Sequence, residues 1–228
     1  MFFGIVVSVS VAGALLLAIG TFVQRGREGV DLSPRALVRV YLYIASLAAV
    51  IVTAGGLAAL LTFGLAGVAG RDAIYGTIPV ISEPIAPKCA PGVDCPTGPT
   101  AEEQRRRVAL QQDRTVSEDL IRGVTFTIFG ALFLVAHWTA RRALAIDESG
   151  SLLRRAYLML GTLAFGLATI TMLPNGVTTV ASNALLPAAP DLYRQGAGEP
   201  VAGGIVALVI WLIYLRLVVR DFRGGGGA

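Results

Sequence analysis

Charged residues are scarce in this chain. Asp, Glu, Lys and Arg make up 15% of its 228 residues, whereas 54% of the residues are hydrophobic. Soluble globular domains carry about 25% charged residues, so a chain this poor in charge is not expected to fold in water. The composition is typical of an integral membrane protein.

Residues with catalytic or metal-binding side chains are equally few. The chain has a single histidine, His137, and two cysteines, Cys89 and Cys95. It contains no HExxH pair, nucleophile elbow, phosphate-cradling glycine loop or CxxC motif, although an intramembrane protease or oxidoreductase needs some such constellation. We therefore predict that the protein is not an enzyme and that it has no cofactor or metal site. The net charge of +4 accompanies no DNA-binding motif, so no nucleic-acid partner is predicted.

Long apolar stretches take up most of the chain. They contain no charged residue apart from Arg39 at one edge, and they are Phe2 to Val23, Leu37 to Gly67, Gly123 to Trp138, Ala156 to Leu173 and Val201 to Leu215. About 20 apolar residues cross the hydrocarbon of a bilayer, so five transmembrane helices are predicted. The first stretch begins without the positive charge of a signal peptide, and it is predicted to remain as a span.

One motif occurs twice at a fixed spacing. The register runs through both copies, with Arg39 answered by Arg155, Tyr41 by Tyr157, Ser46 by Thr162 and Leu60 by Gly176. Each copy is followed by a connection and a second apolar stretch, which is typical of a repeated helical hairpin. The predicted fold is all-α: two parallel hairpins form a four-helix bundle about a pseudo-twofold axis along the membrane normal, with the N-terminal helix outside.

The predicted organisation has four parts. Residues 1–34 form the N-terminal transmembrane helix and a cytoplasmic linker, and residues 35–142 form the first hairpin with an external loop at 68–119. Residues 143–223 form the second hairpin, and residues 224–228 form a flexible tail.

Arginines in the short connections predict the orientation. They follow the first, third and fifth stretches, as Arg25, Arg27, Arg35, Arg141, Arg142, Arg154, Arg155, Arg216, Arg220 and Arg223. Because cytoplasmic loops carry the excess of positive charge, the N-terminus is predicted outside and the C-terminus in the cytoplasm.

The two cysteines flank a Pro-Gly turn in the predicted external loop. In an oxidising compartment, Cys89 and Cys95 favour a local disulfide. Two free thiols and a metal pair are the alternatives, although a structural zinc site normally takes four protein ligands.

The second half of the external loop predicts a helix. Thr100 is a candidate N-cap before Glu102 and Glu103, and residues 104–119 contain no proline or glycine. This helix is expected to run into the third span. The cluster Arg105 to Arg107 is interpreted as a solvated face paired with these two glutamates, and binding of an acidic partner is the alternative.

Pro174 interrupts the fourth span where the repeat register predicts continuation. Proline removes one backbone hydrogen bond, and the following Asn-Gly favours a turn. We expect a kinked helix that continues through Ala184 and ends before Pro187. With the external loop, this extension would form an outer platform that faces a partner.

These residues resemble an uncharacterised family of bacterial multi-span membrane domains. The likeness covers Arg35 to Arg220 and includes the repeated Arg-x-Tyr and the His137-Trp138 pair that ends the first hairpin. The second hairpin departs from the pattern, with Ile213-Tyr214 at the corresponding position. The resemblance implies a multi-pass architecture in the bacterial cytoplasmic membrane without a known activity, and the missing second histidine weakens a symmetric ligand site.

Two candidate sites lie at the predicted cytoplasmic face. Arg39, Tyr41, Arg155 and Tyr157 could form a pocket for an anionic lipid headgroup, although anchoring aromatic and basic side chains explain the same pattern. His137 could be the axial ligand of a pigment or haem, and an interfacial histidine is the alternative interpretation.

The sequence favours a non-catalytic accessory or structural subunit of a larger membrane assembly. Its partners would be the bilayer and other membrane-protein subunits, because small residues such as Gly55 and Gly56 permit close helix contact. A small transporter built from parallel repeats is the alternative, and a pigment- or haem-associated subunit is a further one.

Overall fold

A computed structural model describes residues 34–77, 100–144, 152–186 and 194–224. These residues are almost entirely helical, which confirms the predicted all-α class. Their helices are α1 (Pro34–Ala69), α2 (Arg71–Tyr75), α3 (Ala101–Ala143), α4 (Leu152–Leu185) and α5 (Gly198–Gly224). Two short strands, β1 (Gly76–Thr77) and β2 (Arg194–Gln195), pair antiparallel, with Gly76 opposite Gln195.

Helices α1, α3, α4 and α5 are each long and apolar enough to cross a membrane. They correspond to the second to fifth predicted spans. The first predicted span lies outside the described residues, as do Cys89, Cys95 and Pro187. Gly224, which was predicted to begin the tail, ends α5.

The start of α3 is fixed by a capping box. The Thr100 hydroxyl accepts a hydrogen bond from the Glu103 backbone N–H at 3.3 Å, and the Glu103 carboxylate accepts one from the Thr100 N–H at 3.2 Å. The predicted N-cap and the continuous helix into the third span are both confirmed. The predicted pairing of Glu102 and Glu103 with Arg105 to Arg107 is wrong for the described residues, because Glu103 caps the helix and the three arginines make no ion pair there.

Helix α4 continues through Pro174 to Leu185, so the predicted continuation is confirmed. Thr178 and Thr179 donate hydrogen bonds to the carbonyl of Asn175 at 2.9 and 2.8 Å. These side-chain bonds supplement the backbone ladder in the turn that follows the proline.

The long helices form two hairpins, and within each hairpin the two antiparallel helices approach closely at glycines. In the first hairpin, Gly123 and Gly130 of α3 face Leu60 and Thr53 of α1 so closely that a Cβ on either glycine would collide. In the second, Gly176 of α4 meets Val201 of α5 in the same way. Small residues let the helix backbones approach, as is common between membrane helices.

Hydroxyl side chains at corresponding positions of the two repeat copies make the same kind of hydrogen bond to the helix backbone. Ser46 and Thr162 occupy matching positions and donate to the carbonyls four residues earlier, at 2.6 and 2.8 Å. Thr53 and Thr169 match in the same register and also bond back, each at 2.7 Å.

The hairpins do not close into the predicted symmetric four-helix bundle. Helix α1 packs on α3 and on α5, whereas α3 makes only marginal contact with α4 and α5. A twofold relation would pack α3 on α4 as α1 packs on α5. Residues of α2 and β1, which follow α1, bond to the segment before α5, and no described segment holds α3 against α4 in the same way.

That bonded region defines one end of the molecule, here called the ribbon end (residues 70–77 and 194–198). Ala197 donates its N–H to the carbonyl of Ala73 at 3.1 Å, next to the β1–β2 pair. Gly76 has a φ of 81°, and a Cβ there would collide with the Arg194 carbonyl. Glycine is therefore required at this position of the ribbon.

Candidate functional site

The opposite end of the molecule contains a tyrosine cluster, formed by Tyr43, Tyr157, Tyr214 and Arg141. Tyr214 donates a hydrogen bond to the Tyr157 hydroxyl at 2.8 Å, and the Tyr157 ring lies 5.4 Å from that of Tyr43. The Arg141 guanidinium lies 4.1 Å from the Tyr43 ring centroid and 5.6 Å from that of Tyr157. The cluster joins the starts of α1 and α4 to the ends of α3 and α5, so the two hairpins run in the same direction.

The predicted headgroup pocket is divided by this arrangement. Tyr157 enters the cluster, whereas its repeat counterpart Tyr41 is 61% exposed and contacts the ring of His137 at 5.9 Å. Arg155 approaches Asp221, with its Nε 3.6 Å from Oδ2, and Arg39 is half-buried in α1. Tyr41 and Tyr157 therefore occupy different environments, and the lipid site at the four residues stays a prediction.

Asp221 is a functional candidate that the sequence analysis missed. Its side chain is only 7% exposed, and it lies 3.4 Å from the Nε of Arg154 as well as near Arg155. One buried carboxylate thus balances two arginines at the start of α4. The only available signal was its position as the single acidic residue in the last turns of α5.

His137 lies on the outer flank of the first hairpin. Its Nδ1 is 2.7 Å from the Phe133 carbonyl, and its ring contacts Tyr41 and Phe133. Next to it, the Arg142 guanidinium stacks 3.7 Å from the Trp138 ring centroid. Contacts of this kind are common among interfacial aromatic and basic side chains. Axial ligation by His137 stays a prediction.

A cavity of about 460 Å³ opens toward the ribbon end, in the gap between α3 and α4. Its inner part is lined by small and apolar side chains of α1, α4 and α5, including Ala54, Ala58, Ala164, Ala168 and Ala207. At its inner limit Phe165 stacks on Tyr214, with centroids 5.9 Å apart. The tyrosine cluster therefore blocks the cavity from the opposite end.

Polar side chains line the mouth of this cavity. The Asp119 side chain is 10% exposed and pairs with Arg122 at 2.5 Å. Tyr75 of α2 lines the same mouth, and its buried hydroxyl has no hydrogen-bond partner of regular geometry among the described residues. Thr62, Thr115, Gln195 and Glu199 also belong to the polar lining of the cavity.

Tyr75 lies outside the four long apolar helices, and its environment disfavours ionisation. Burial raises the pKa of the Tyr75 hydroxyl from 10.0 to about 12, and the nearby negative charge of Asp119 adds to the effect. The phenol therefore stays protonated at neutral pH and keeps a donor at the mouth of the cavity.

No protein-family model, curated protein or solved structure matches this chain. The resemblance to bacterial multi-span domains stays a prediction. The tyrosine cluster and the cavity are thus the features on which a functional proposal can be built. Among the described residues, no group of three His, Cys, Asp or Glu side chains could hold a metal ion.

The cavity could be predicted only in part. Asp119 and Arg122 stand three residues apart at the start of the third span, a spacing that allows a helical ion pair. In the sequence, Asp119 is the last residue of the predicted external loop (68–119). Its burial depends on Tyr75 and on the gap between α3 and α4, which no local pattern specifies.

Proposed function

We propose that the protein is a non-catalytic, five-span subunit of a larger assembly in the bacterial cytoplasmic membrane. The tyrosine end would face the cytoplasm and the ribbon end the outside. The position of the arginines supports this orientation, because Arg141, Arg142, Arg154 and Arg155 all belong to helix ends that meet at the tyrosine cluster.

The observation that carries the proposal is the projection of α3 beyond α1. Asp113 of α3 pairs with Arg71, which lies just after the end of α1. Residues 101–112 therefore extend past α1, by about 18 Å at 1.5 Å per residue. Arg105, Arg106 and Arg107 lie exposed on this projection without an ion pair among the described residues.

The chemistry of this projection favours an acidic protein partner. Three consecutive guanidinium groups spread around the helix and can meet carboxylates from more than one direction. A helix this short is marginal in water by itself, but here it continues a membrane span and is already ordered. A partner would thus bind a preformed basic surface at the ribbon end.

Charge variants of the projection test the proposal. We expect the complex purified from native membranes in mild detergent to lose its partner in R105Q/R106Q/R107Q and to keep it in R105K/R106K/R107K. The variant R114Q is the matched control, because Arg114 is exposed on the same helix and its ion pair among the described residues is with Glu118. The measurement is the mass of the native complex.

Two results would contradict the proposal. One is a stable, partner-free wild-type monomer, and the other is a complex that survives loss of all three charges. Retention in the lysine variant with loss in the glutamine variant would assign the interaction to charge rather than to helix shape.

A small transporter is the second candidate, and the cavity is the observation that favours it. A transport route would have to continue from the cavity to the tyrosine end, where Phe165 and Tyr214 stack. Variants F165A and Y214A should then increase uptake of a cargo. Unchanged flux in both variants would exclude that route.

A further inference from the structure

We propose that the cavity between α3 and α4 binds one acyl chain of a zwitterionic phospholipid whose headgroup carries a primary amine, with the headgroup held by Asp119, Arg122 and Glu199. This site is independent of the partner-binding projection. It lies at the opposite end from the predicted pocket for an anionic lipid.

The size of the cavity suits a lipid chain. Its lining on α1 runs from Ile51 to Thr62, which is about 16 Å of helix axis. The cavity volume of about 460 Å³ lies within the range of small-molecule sites.

The cavity has a polar mouth and an apolar inner part, which is the arrangement of headgroup and acyl chain in a bilayer lipid. The ribbon end presents Tyr75, Asp119 and Arg122, whereas alanines of α1, α4 and α5 line the inner part. A headgroup at the mouth would thus extend its chain parallel to the helices and away from water.

The gap between α3 and α4 provides access from the bilayer. These two helices make little contact, and Phe126 of α3 lines the cavity together with Ala164 and Ala168 of α4. Among the described residues, a chain can enter between α3 and α4 without separating either hairpin.

The charges at the mouth select the headgroup. Asp119 and Glu199 can accept hydrogen bonds from a primary ammonium, and Arg122 can bind the phosphate. The Tyr75 hydroxyl is buried beside Asp119 at the same mouth. A quaternary ammonium cannot donate hydrogen bonds, and an anionic headgroup would face two carboxylates without a cation of its own.

Native mass spectrometry with defined lipids tests the proposal. The full chain would be reconstituted separately with phosphatidylethanolamine, phosphatidylcholine and phosphatidylglycerol. We expect one retained phosphatidylethanolamine per chain and roughly 10-fold lower retention of the other two, a difference of about 1.4 kcal/mol.

Matched variants separate the site from the general lipid surface. A168F fills the cavity and should abolish retention, whereas L163F places the same ring on the exposed side of α4 and should leave it unchanged. D119N should shift preference from phosphatidylethanolamine toward phosphatidylglycerol, because it removes a negative charge beside Arg122. Since D119N leaves the cavity volume intact, it tests the proposal even if A168F fails to fold.

Equal retention of the three lipids by the wild type would overturn the headgroup assignment. Equal retention by A168F and L163F, with both variants folded by circular dichroism, would overturn the site itself.

Discussion

At the residue scale, the molecule places its few polar groups where several side chains share one charge. The Asp221 carboxylate pairs with Arg154 and Arg155. The Asp119 carboxylate pairs with Arg122 and lies beside the Tyr75 hydroxyl. Removal of a buried carboxylate leaves its cationic neighbours without a counter-charge, so loss of either aspartate should affect more than one contact.

Tyr75 gives a prediction with a defined pH range. Its pKa is raised to about 12, so the folded state holds the phenolic proton more tightly than the unfolded state does. This contribution to stability is fully present below pH 10 and is lost as the pH rises through about 12. Ultraviolet difference titration of the wild type against Y75F should show one tyrosine ionising near pH 12, and ionisation near pH 10 would contradict the buried environment.

Residue identity alone did not reveal which tyrosines would meet. Tyr41 and Tyr157 are equivalent in the repeat, yet one is exposed and the other lies in the tyrosine cluster. The difference arises from the partner helices: Tyr157 faces Tyr214, whereas Tyr41 faces His137. Helix rotation and neighbour identity are tertiary properties that the repeat register does not contain.

At the element scale, local chemistry was sufficient where it acted alone. The Thr100 capping box specified the start of α3 because its hydrogen bonds involve only four consecutive residues. Continuation of α4 past Pro174 was predictable from the repeat, because the corresponding stretch of the first copy runs without proline or charge to Ala69.

The glycines of the first hairpin provide a test at this scale. G130A should destabilise the protein by about 1–3 kcal/mol, because the new methyl group would collide with the Thr53 backbone and push α1 from α3. Gly64 lies on the same hairpin with open space around it, so G64A should change stability by less than about 1 kcal/mol. Thermal unfolding in detergent measures both, and equal shifts would show that the close approach does not limit stability.

At the scale of the whole molecule, two hairpins of related sequence pack asymmetrically. The repeat predicted their common direction, but not the opening between α3 and α4. Among the described residues, α2 and β1 bond to the segment before α5, and no such bonds join α3 to α4. The repeated sequence therefore predicted a twofold-symmetric bundle, whereas in the structure α1 packs on α5 and α3 barely contacts α4.

The orientation of the whole molecule can be tested with single cysteines. In a C89S/C95S background, L110C at the ribbon end should react with a membrane-impermeant thiol reagent applied to intact spheroplasts. R223C at the tyrosine end should react only after the cells are opened. The reverse pattern would invert the proposed topology.

The pairing of β1 with β2 also bears on how the protein is made. Gly76 finds its partner Gln195 roughly 120 residues later in the chain. At 5–20 residues per second, translation needs on the order of 10 s to supply that partner. The first hairpin would therefore remain in the membrane with β1 unpaired until α4 and the segment before α5 have been synthesised. Premature termination between these positions should leave an exposed strand edge, which quality-control proteases could recognise as the mark of an unfinished chain.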